Sequence, residues 1–136
     1  MAQVLIVDDD RAIREMLRVA LEVEGYAVRV LSDGRDVVET LRGMSEPCVL
    51  LMDLMMPGVS GWDVCQALMA DVHLARHPVV VMTAGLMKGD SAPPPARTLL
   101  CKPFELERVY ALVESLVAEA AIATEVADYV PAASVA

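Results

Sequence analysis

The stretch from Val49 to Gly58 constrains the fold of this chain more than any other. A run of apolar residues leads there into one carboxylate, Asp53, and a Pro57-Gly58 turn follows. A short apolar run bounded by turn residues is typical of a strand that is buried on both faces of a sheet. Burying a lone carboxylate is costly, so such a strand seldom ends in an unpaired acid. From this stretch alone, Asp53 is either the cap of a turn or part of a functional site.

Short apolar runs alternate with helical patterns along the whole chain. Apolar residues spaced by three and four predict amphipathic helices between the runs and after the last one. Strands that alternate with helices imply right-handed crossovers and a parallel sheet. The predicted fold is therefore α/β, a flavodoxin-like doubly wound five-stranded parallel sheet with strand order 2-1-3-4-5. The predicted strands are Val4–Val7, Tyr26–Leu31, Val49–Met52, Pro78–Met82 and Thr98–Cys101.

Polar residues and glycines mark the ends of the predicted helices. Asp10 is expected to cap the first helix and Gly25 to end it. Ser32-Asp33-Gly34 is expected to open the second helix, and Ser60 to cap the third in a capping box. The residues expected on the inner face of the third helix are Val64, Leu68 and Val72.

Polar residues also follow the predicted strands at their carboxyl ends. In the order 2-1-3-4-5, strands 1 and 3 are neighbours, and a crevice opens beside their carboxyl ends. Each of these residues alone could be an ordinary turn residue, but five at one sheet edge indicate a site. They are Asp8 and Asp9 after strand 1, Asp53 after strand 3, Thr83 after strand 4 and Lys102 after strand 5.

Three carboxylates at one edge repel one another unless a cation joins them. Mg²⁺ prefers oxygen ligands and keeps some of its own water. A carboxylate beside Mg²⁺ can act as nucleophile toward a phosphoryl group, and the metal can bridge it to a phosphate oxygen. Lys102 can neutralise a second phosphate oxygen as a point charge, and the Thr83 hydroxyl can donate to a third. These parts describe an aspartate that accepts a phosphoryl group as an acyl phosphate.

The motifs at these strand ends resemble those of the receiver domain of bacterial two-component response regulators. They occur together, in order and at the family's spacing, over residues 3–118, which we take as the receiver domain. Residues 119–136 are expected to be a helix extension or a flexible tail. The motifs are Leu5-Ile6-Val7-Asp8-Asp9-Asp10, Met52-Asp53-Leu54-Met55-Met56-Pro57-Gly58 with Gly61, Met82-Thr83-Ala84 and Lys102-Pro103-Phe104.

The resemblance implies a role for each acidic residue. Asp53 would be the phosphoacceptor. Asp9 would bind Mg²⁺ directly and Asp8 through water, and Asp53 and the main-chain carbonyl of Met55 would complete the protein ligands.

The resemblance also implies roles for the remaining residues and for partner proteins. Thr83 would be the switch hydroxyl, Lys102 would contact the phosphoryl group, and the Lys102-Pro103 bond would be cis. The phosphodonor would be a phosphohistidine on a sensor histidine kinase or a histidine phosphotransfer protein. An unidentified downstream protein would read the output. A homodimer is a separate expectation, since a second copy of the chain could cover apolar strand residues that a missing helix leaves exposed.

The sequence departs from the family pattern at two places. Leu99 stands where the family carries Tyr or Phe, whose side-chain rotamer is coupled to the switch threonine. A leucine has no ring to move, so this form of signalling is not expected here. The segment Gly85–Ala96 carries two glycines and a proline run, which disfavour a helix. Helix 4 is therefore predicted to be degenerate or missing. Either the signalling surface has moved toward helix 1 or the last helix and tail, or an unused helix has been lost.

Composition limits the partners and the compartment. The net charge of −9 argues against nucleic acid or an anionic membrane as a direct partner. The first residues lack a basic signal-peptide region, and no apolar run is long enough to span a bilayer. We therefore expect a cytoplasmic protein. Three cysteines are too few and too scattered for a disulfide framework or a zinc site, and Cys48 and Cys101 are expected to be buried.

Three functions compete for this sequence. The favoured one is a phosphoacceptor module, as a single-domain response regulator or as part of a longer protein. It would be no enzyme beyond assisting its own phosphorylation and dephosphorylation. A phosphatase with an aspartate nucleophile would usually carry a second acid two residues later, where Met55 stands. A receiver-like interaction module that is never phosphorylated is favoured by the loss of helix 4 and disfavoured by the intact five-residue set.

Overall fold

The apolar runs form one five-stranded parallel sheet in the computed structural model, which describes residues 1–85 and 92–128 and, within the last helix, side chains up to residue 125. The strand order is β2-β1-β3-β4-β5, which confirms the predicted flavodoxin-like order. The strands are β1 Gln3–Val7, β2 Ala27–Leu31, β3 Cys48–Asp53, β4 Val79–Thr83 and β5 Thr98–Cys101.

Helices cover both faces of this sheet. None of those in the described part of the chain combines the length and the apolar character that a membrane-spanning helix requires. The last helix continues past residue 118, and the domain boundary at that residue stays a prediction. The helices are α1 Arg11–Val23, α2 Val37–Arg42, α3 Gly61–Met69 and α4 Leu106–Asp128, and a 3₁₀ helix spans Val72–Arg76.

The core lies in two apolar layers, one on each side of the sheet. Leu5 and Leu50 point toward α2 and α3, whereas Ile6 and Leu51 point toward α1 and α4. All six residues of β3 are buried, because this central strand has a neighbour on each side and helices on both faces. The central position of β3 fixes the place of its last residue, Asp53.

The predicted helix ends are confirmed for α1 and α3. The Asp10 carboxylate accepts hydrogen bonds of 2.9 and 3.3 Å from the amides of Ala12 and Ile13. Gly25 follows the helix with φ of +98°, a conformation that favours glycine. Ser60 caps α3 in the predicted capping box with Asp63.

The second helix begins later than predicted, at Val37 and not at Ser32–Gly34. The Gly34 amide donates a hydrogen bond of 3.2 Å to the Val59 carbonyl, which ties the loop to the neighbouring loop after β3. A Cβ at Gly34 would lie 2.7 Å from that carbonyl oxygen. This close approach between two loops holds the segment outside the helix.

Two burial predictions were wrong. Val72 is 80% exposed, because α3 ends at Met69 and the Asp71 carboxylate caps a separate 3₁₀ helix. Cys101 is exposed, because β5 is an edge strand. Cys48 is buried, as predicted.

The segment between β4 and β5 was predicted to lack a regular helix. Residues 86–91 lie outside the described part of the chain, so that portion of the prediction is not addressed. The described flanks, 84–85 and 92–97, contain turns and irregular backbone and no helix. Ala92, Ala96 and the half-buried Leu99 pack against the apolar layer beneath α2 and α3. Ala92 and Ala96 thus cover part of the sheet face beside β4 and β5.

His77 is buried at the end of the sheet opposite the acidic strand ends. Its side chain is 3% exposed, and Nδ1 accepts a hydrogen bond of 3.0 Å from the Cys48 amide. Burial, and then the charge of Arg76, lower the pKa of His77 from 6.5 to about 4. As pH falls, the His77 imidazole therefore becomes protonated in the unfolded chain at a higher pH than in the folded protein. The contribution of His77 to the free energy of unfolding should fall as pH drops from about 6.5 to about 4, by at most about 3 kcal/mol.

The substitution His77→Asn should flatten this part of the pH profile, since Asn keeps an acceptor oxygen but does not titrate. Urea unfolding at several pH values measures the effect. His73→Asn is the matched control, because His73 is exposed, and this variant should keep the wild-type slope. Parallel profiles for the wild type and His77→Asn would contradict the prediction.

Candidate functional site

Asp53 ends the central strand at the edge where the crevice was predicted. Its side chain is almost fully buried. The Met55 amide donates a hydrogen bond of 3.0 Å to Oδ1. Oδ2 accepts a hydrogen bond of 3.1 Å from the Lys102 ammonium. Each carboxylate oxygen of Asp53 therefore has one donor that fixes its direction.

Lys102 joins two of the acids. Its Nζ lies 2.7 Å from Asp8 Oδ2 in addition to its contact with Asp53, and its side chain is only 13% exposed. The main-chain amide of Lys102 donates a hydrogen bond of 2.8 Å to the Thr83 carbonyl, which continues the pairing of β4 with β5. The lysine is thus aimed into the crevice by the sheet itself.

Asp8 and Asp9 follow β1 and have different surroundings. Asp8 is fully buried, and its Oδ1 accepts a hydrogen bond of 2.9 Å from the Asp10 amide. Asp9 is exposed. One carboxylate oxygen from each of Asp8, Asp9 and Asp53 lies within 4.8 Å of the others. Asp10 faces its own helix as a cap and is not part of this cluster.

Thr83 is buried at the end of β4, beside these residues in the sheet. Its hydroxyl oxygen accepts a hydrogen bond of 3.1 Å from the Gly85 amide. The hydroxyl proton is not used in that bond. Thr83 is therefore placed as a hydrogen-bond donor at the same edge of the sheet.

Burial and charge act against each other at this site. Burial raises the pKa of Asp53, and the nearby Asp8 charge raises it further, while the Met55 amide and Lys102 lower it; the pKa stays above its ordinary value. Burial alone would lower the pKa of Lys102, but the two carboxylates raise it above its ordinary value. Lys102 is therefore a permanent cation between two acids.

The donor set fits a small hard cation. Three carboxylates can each offer one oxygen to the same point, and Mg²⁺ takes oxygen ligands of this kind. One lysine compensates only part of the charge of three acids. The Met55 carbonyl, the fourth predicted ligand, belongs to the loop that directly follows Asp53.

The Lys102-Pro103 peptide bond is cis, as the sequence resemblance implied.

Two residues of this region were not given a role from the sequence. The Gly61 amide donates a hydrogen bond of 3.0 Å to the Leu54 carbonyl, and α3 begins in contact with the end of β3. The Arg14 guanidinium donates a hydrogen bond of 2.8 Å to the main-chain carbonyl of Asp8. An arginine near the amino end of a helix is the one signal that could have indicated Arg14, since cations are unfavourable there.

Residues 4–114 match the model of the response regulator receiver domain family. Relatives include the response regulator MprA of Mycolicibacterium vanbaalenii, 36% identical over 121 residues, which cover 84% of this chain and 49% of that protein. The DNA-binding response regulator MtrA of Mycobacterium tuberculosis is 34% identical over 122 residues, covering 83% of this chain and 49% of that protein. The chain thus spans about half the length of the curated relatives it matches.

Solved structures share the fold. The chemotaxis response regulator CheY4 of Vibrio cholerae aligns with a TM-score of 0.71 and 26% identity, covering 85% of this chain and 98% of that one. The response regulator TrrA of Thermotoga maritima, crystallised in complex with Mg²⁺-BeF, aligns with a TM-score of 0.73 and 24% identity over 85% of this chain and 99% of that one. Because the family match extends from β1 into α4, this chain belongs to the response regulator receiver domain family.

Proposed function

We propose that the chain accepts a phosphoryl group onto Asp53 from a phosphohistidine, in a two-component phosphorelay. Mg²⁺ would be held by Asp8, Asp9, Asp53 and the main-chain carbonyl of Met55. The observation that carries the proposal is the Lys102 ammonium, which contacts both Asp8 and Asp53 at the edge where the three carboxylates converge.

In the proposed reaction a carboxylate oxygen of Asp53 attacks phosphorus. A phosphorus–oxygen bond forms, the phosphorus–nitrogen bond breaks, and the leaving imidazole takes a proton from water. Bound Mg²⁺ would supply positive charge to the phosphoryl oxygens. Lys102 would move from the carboxylate, which loses charge on acylation, to a phosphoryl oxygen. The hydroxyl proton of Thr83, which the hydrogen bond from Gly85 does not use, would be donated to another.

The partners follow from this chemistry. The donor would be a sensor histidine kinase or a histidine phosphotransfer protein. The outer side of α1 supports a recognition surface there, because Met16, Val19 and Val23 are 43%, 52% and 79% exposed. Apolar side chains that cluster on an exposed helix face are typical of an interaction surface. A downstream protein would then read a surface away from the segment between β4 and β5.

The proposal is tested with a small phosphodonor. Acetyl phosphate with Mg²⁺ should increase the intact mass of the protein by one phosphoryl group. A chelator present from the start should prevent the increase, because the acids then lack their cation. No mass increase with Mg²⁺, or an equal increase with the chelator, would contradict the proposed function.

A further inference from the structure

Arg14 reaches back from α1 to the loop that carries the acids. Residue 14 lies at the end of the first turn of α1, and side chains in a helix lean toward its amino end. The guanidinium Nη1 lies 2.8 Å from the Asp8 carbonyl oxygen, and the side chain is half-buried. This bond connects the body of a helix to the main chain immediately before Asp9.

Every hydrogen-bonding group of Asp8 is held. Its amide donates to the Leu31 carbonyl at 3.2 Å, and its carboxylate receives the Asp10 amide and the Lys102 ammonium. Arg14 takes the carbonyl, the remaining group. Within the described residues, no donor hydrogen-bonds the carboxylate of Asp9. The direction of that exposed carboxylate therefore depends on how firmly the main chain around it is held.

The position of Arg14 is unfavourable for the helix alone. The amino end of a helix favours acids and disfavours cations, yet the first turn of α1 contains no acidic residue. A residue that departs from such a local preference beside a functional site often serves that site. Arg11 shares this unfavourable position, and the hydrogen bond to the Asp8 carbonyl distinguishes Arg14 from it.

We propose that Arg14 is a positioning residue for the metal site: by holding the Asp8 carbonyl it fixes the main chain from which the Asp9 carboxylate reaches the cation. The inference rests on the proposed function, because it presumes that Asp9 binds Mg²⁺. Groups that orient metal ligands through hydrogen bonds typically contribute about ten- to a hundredfold to metal affinity.

An electrostatic role and a positioning role of Arg14 predict opposite changes in Mg²⁺ affinity when the arginine is removed. An arginine near a cation site repels the cation, so removing its charge should strengthen Mg²⁺ binding. Removing an anchor of the loop should weaken it. The sign of the change therefore separates a positioning role from a purely electrostatic one.

The test compares Arg14→Met with Arg11→Met by calorimetric titration with Mg²⁺. Arg11 is the matched control, because it begins the same helix, carries the same charge and is exposed. We expect Arg14→Met to raise the Mg²⁺ dissociation constant about tenfold, and Arg11→Met to leave it unchanged or lower it. Arg14→Lys should recover part of the affinity, because an ammonium keeps one donor for the Asp8 carbonyl. An unchanged or lower dissociation constant in folded Arg14→Met would overturn the inference.

A second measurement needs no metal. Hydrogen exchange of the Asp10 amide, which donates to the Asp8 carboxylate, should be faster in Arg14→Met than in the wild type and Arg11→Met. Equal exchange in all three would overturn the anchoring role. If Arg14→Met does not fold, Arg14→Ala, which also removes the donor and favours the helix, is compared with Arg11→Ala by both measurements, and equal values for these two proteins would overturn it. A wild-type protein that fails to bind Mg²⁺ would instead overturn the proposed function.

Discussion

Asp53→Asn is expected to abolish phosphoryl incorporation from acetyl phosphate. The amide is not a nucleophile at phosphorus, and the substitution removes a negative charge from the proposed cation site. The variant should remain folded, because Asn has the shape of Asp and can accept from the Met55 amide as Asp53 does. Intact-mass measurement, followed by mapping of the labelled peptide, detects the loss.

Asp10→Asn is the matched control for this substitution. It removes one acid from the same loop region, but Asn is as good a helix cap as Asp. Because Asp10 faces the amides of α1 and lies outside the carboxylate cluster, this variant should still be phosphorylated. Wild-type labelling of Asp53→Asn, or label mapped to another residue, would show that Asp53 is not the acceptor.

Gly61→Ala is expected to destabilise the protein and to impair phosphorylation together. A Cβ at Gly61 would lie 2.6 Å from the Leu54 Cα and closer still to the Asp53 carbonyl oxygen. Both neighbours are main chain, so either the end of β3 or the start of α3 must move. Overpacking of this kind typically costs about 1–3 kcal/mol, and we expect the upper part of that range. Urea unfolding and the rate of labelling by acetyl phosphate measure the two effects.

Gly43→Ala provides the comparison for Gly61→Ala. Gly43 ends α2 with φ of −78°, and a Cβ there would meet its nearest atoms at 3.6 Å. This variant should change the free energy of unfolding by about 0.5 kcal/mol or less and leave labelling intact. If Gly61→Ala behaved in the same way, the contact between α3 and the end of β3 would not position Asp53.

The convergence of the polar residues at the strand ends could be predicted from sequence, because all strands of a parallel sheet end at the same edge. Once the apolar runs are taken as parallel strands, Asp8, Asp53 and Lys102 must reach the same edge. The start of α2 could not be predicted, because it depends on a contact between Gly34 and Val59, which are distant in the chain. The exposure of Val72 has a local cause, the cap that Asp71 gives to a separate 3₁₀ helix, and helical periodicity alone does not show that α3 ends before that residue.

The hydrogen bond from Arg14 to Asp8 was missed for a different reason. Periodicity places a residue on a face of a helix, but it does not say which main-chain group a long polar side chain will reach. The close approach of Gly61 to Asp53 was missed for a similar reason. The need for a glycine at residue 61 becomes visible only in the folded structure, where the main chain of Asp53 and Leu54 leaves no room for a side chain.

The contact of Lys102 with both acids links the assembly of the site to the edge of the sheet. The lysine is 94 residues from Asp8 and 49 from Asp53, and it follows β5, which has only one neighbouring strand. An edge strand is hydrogen-bonded to the sheet along one side only, so its local opening breaks fewer bonds than that of a central strand. A fluctuation that releases β5 would leave two buried carboxylates facing each other without their lysine. Electrostatic repulsion would then oppose that open state, so the two buried carboxylates help to keep β5 paired with β4.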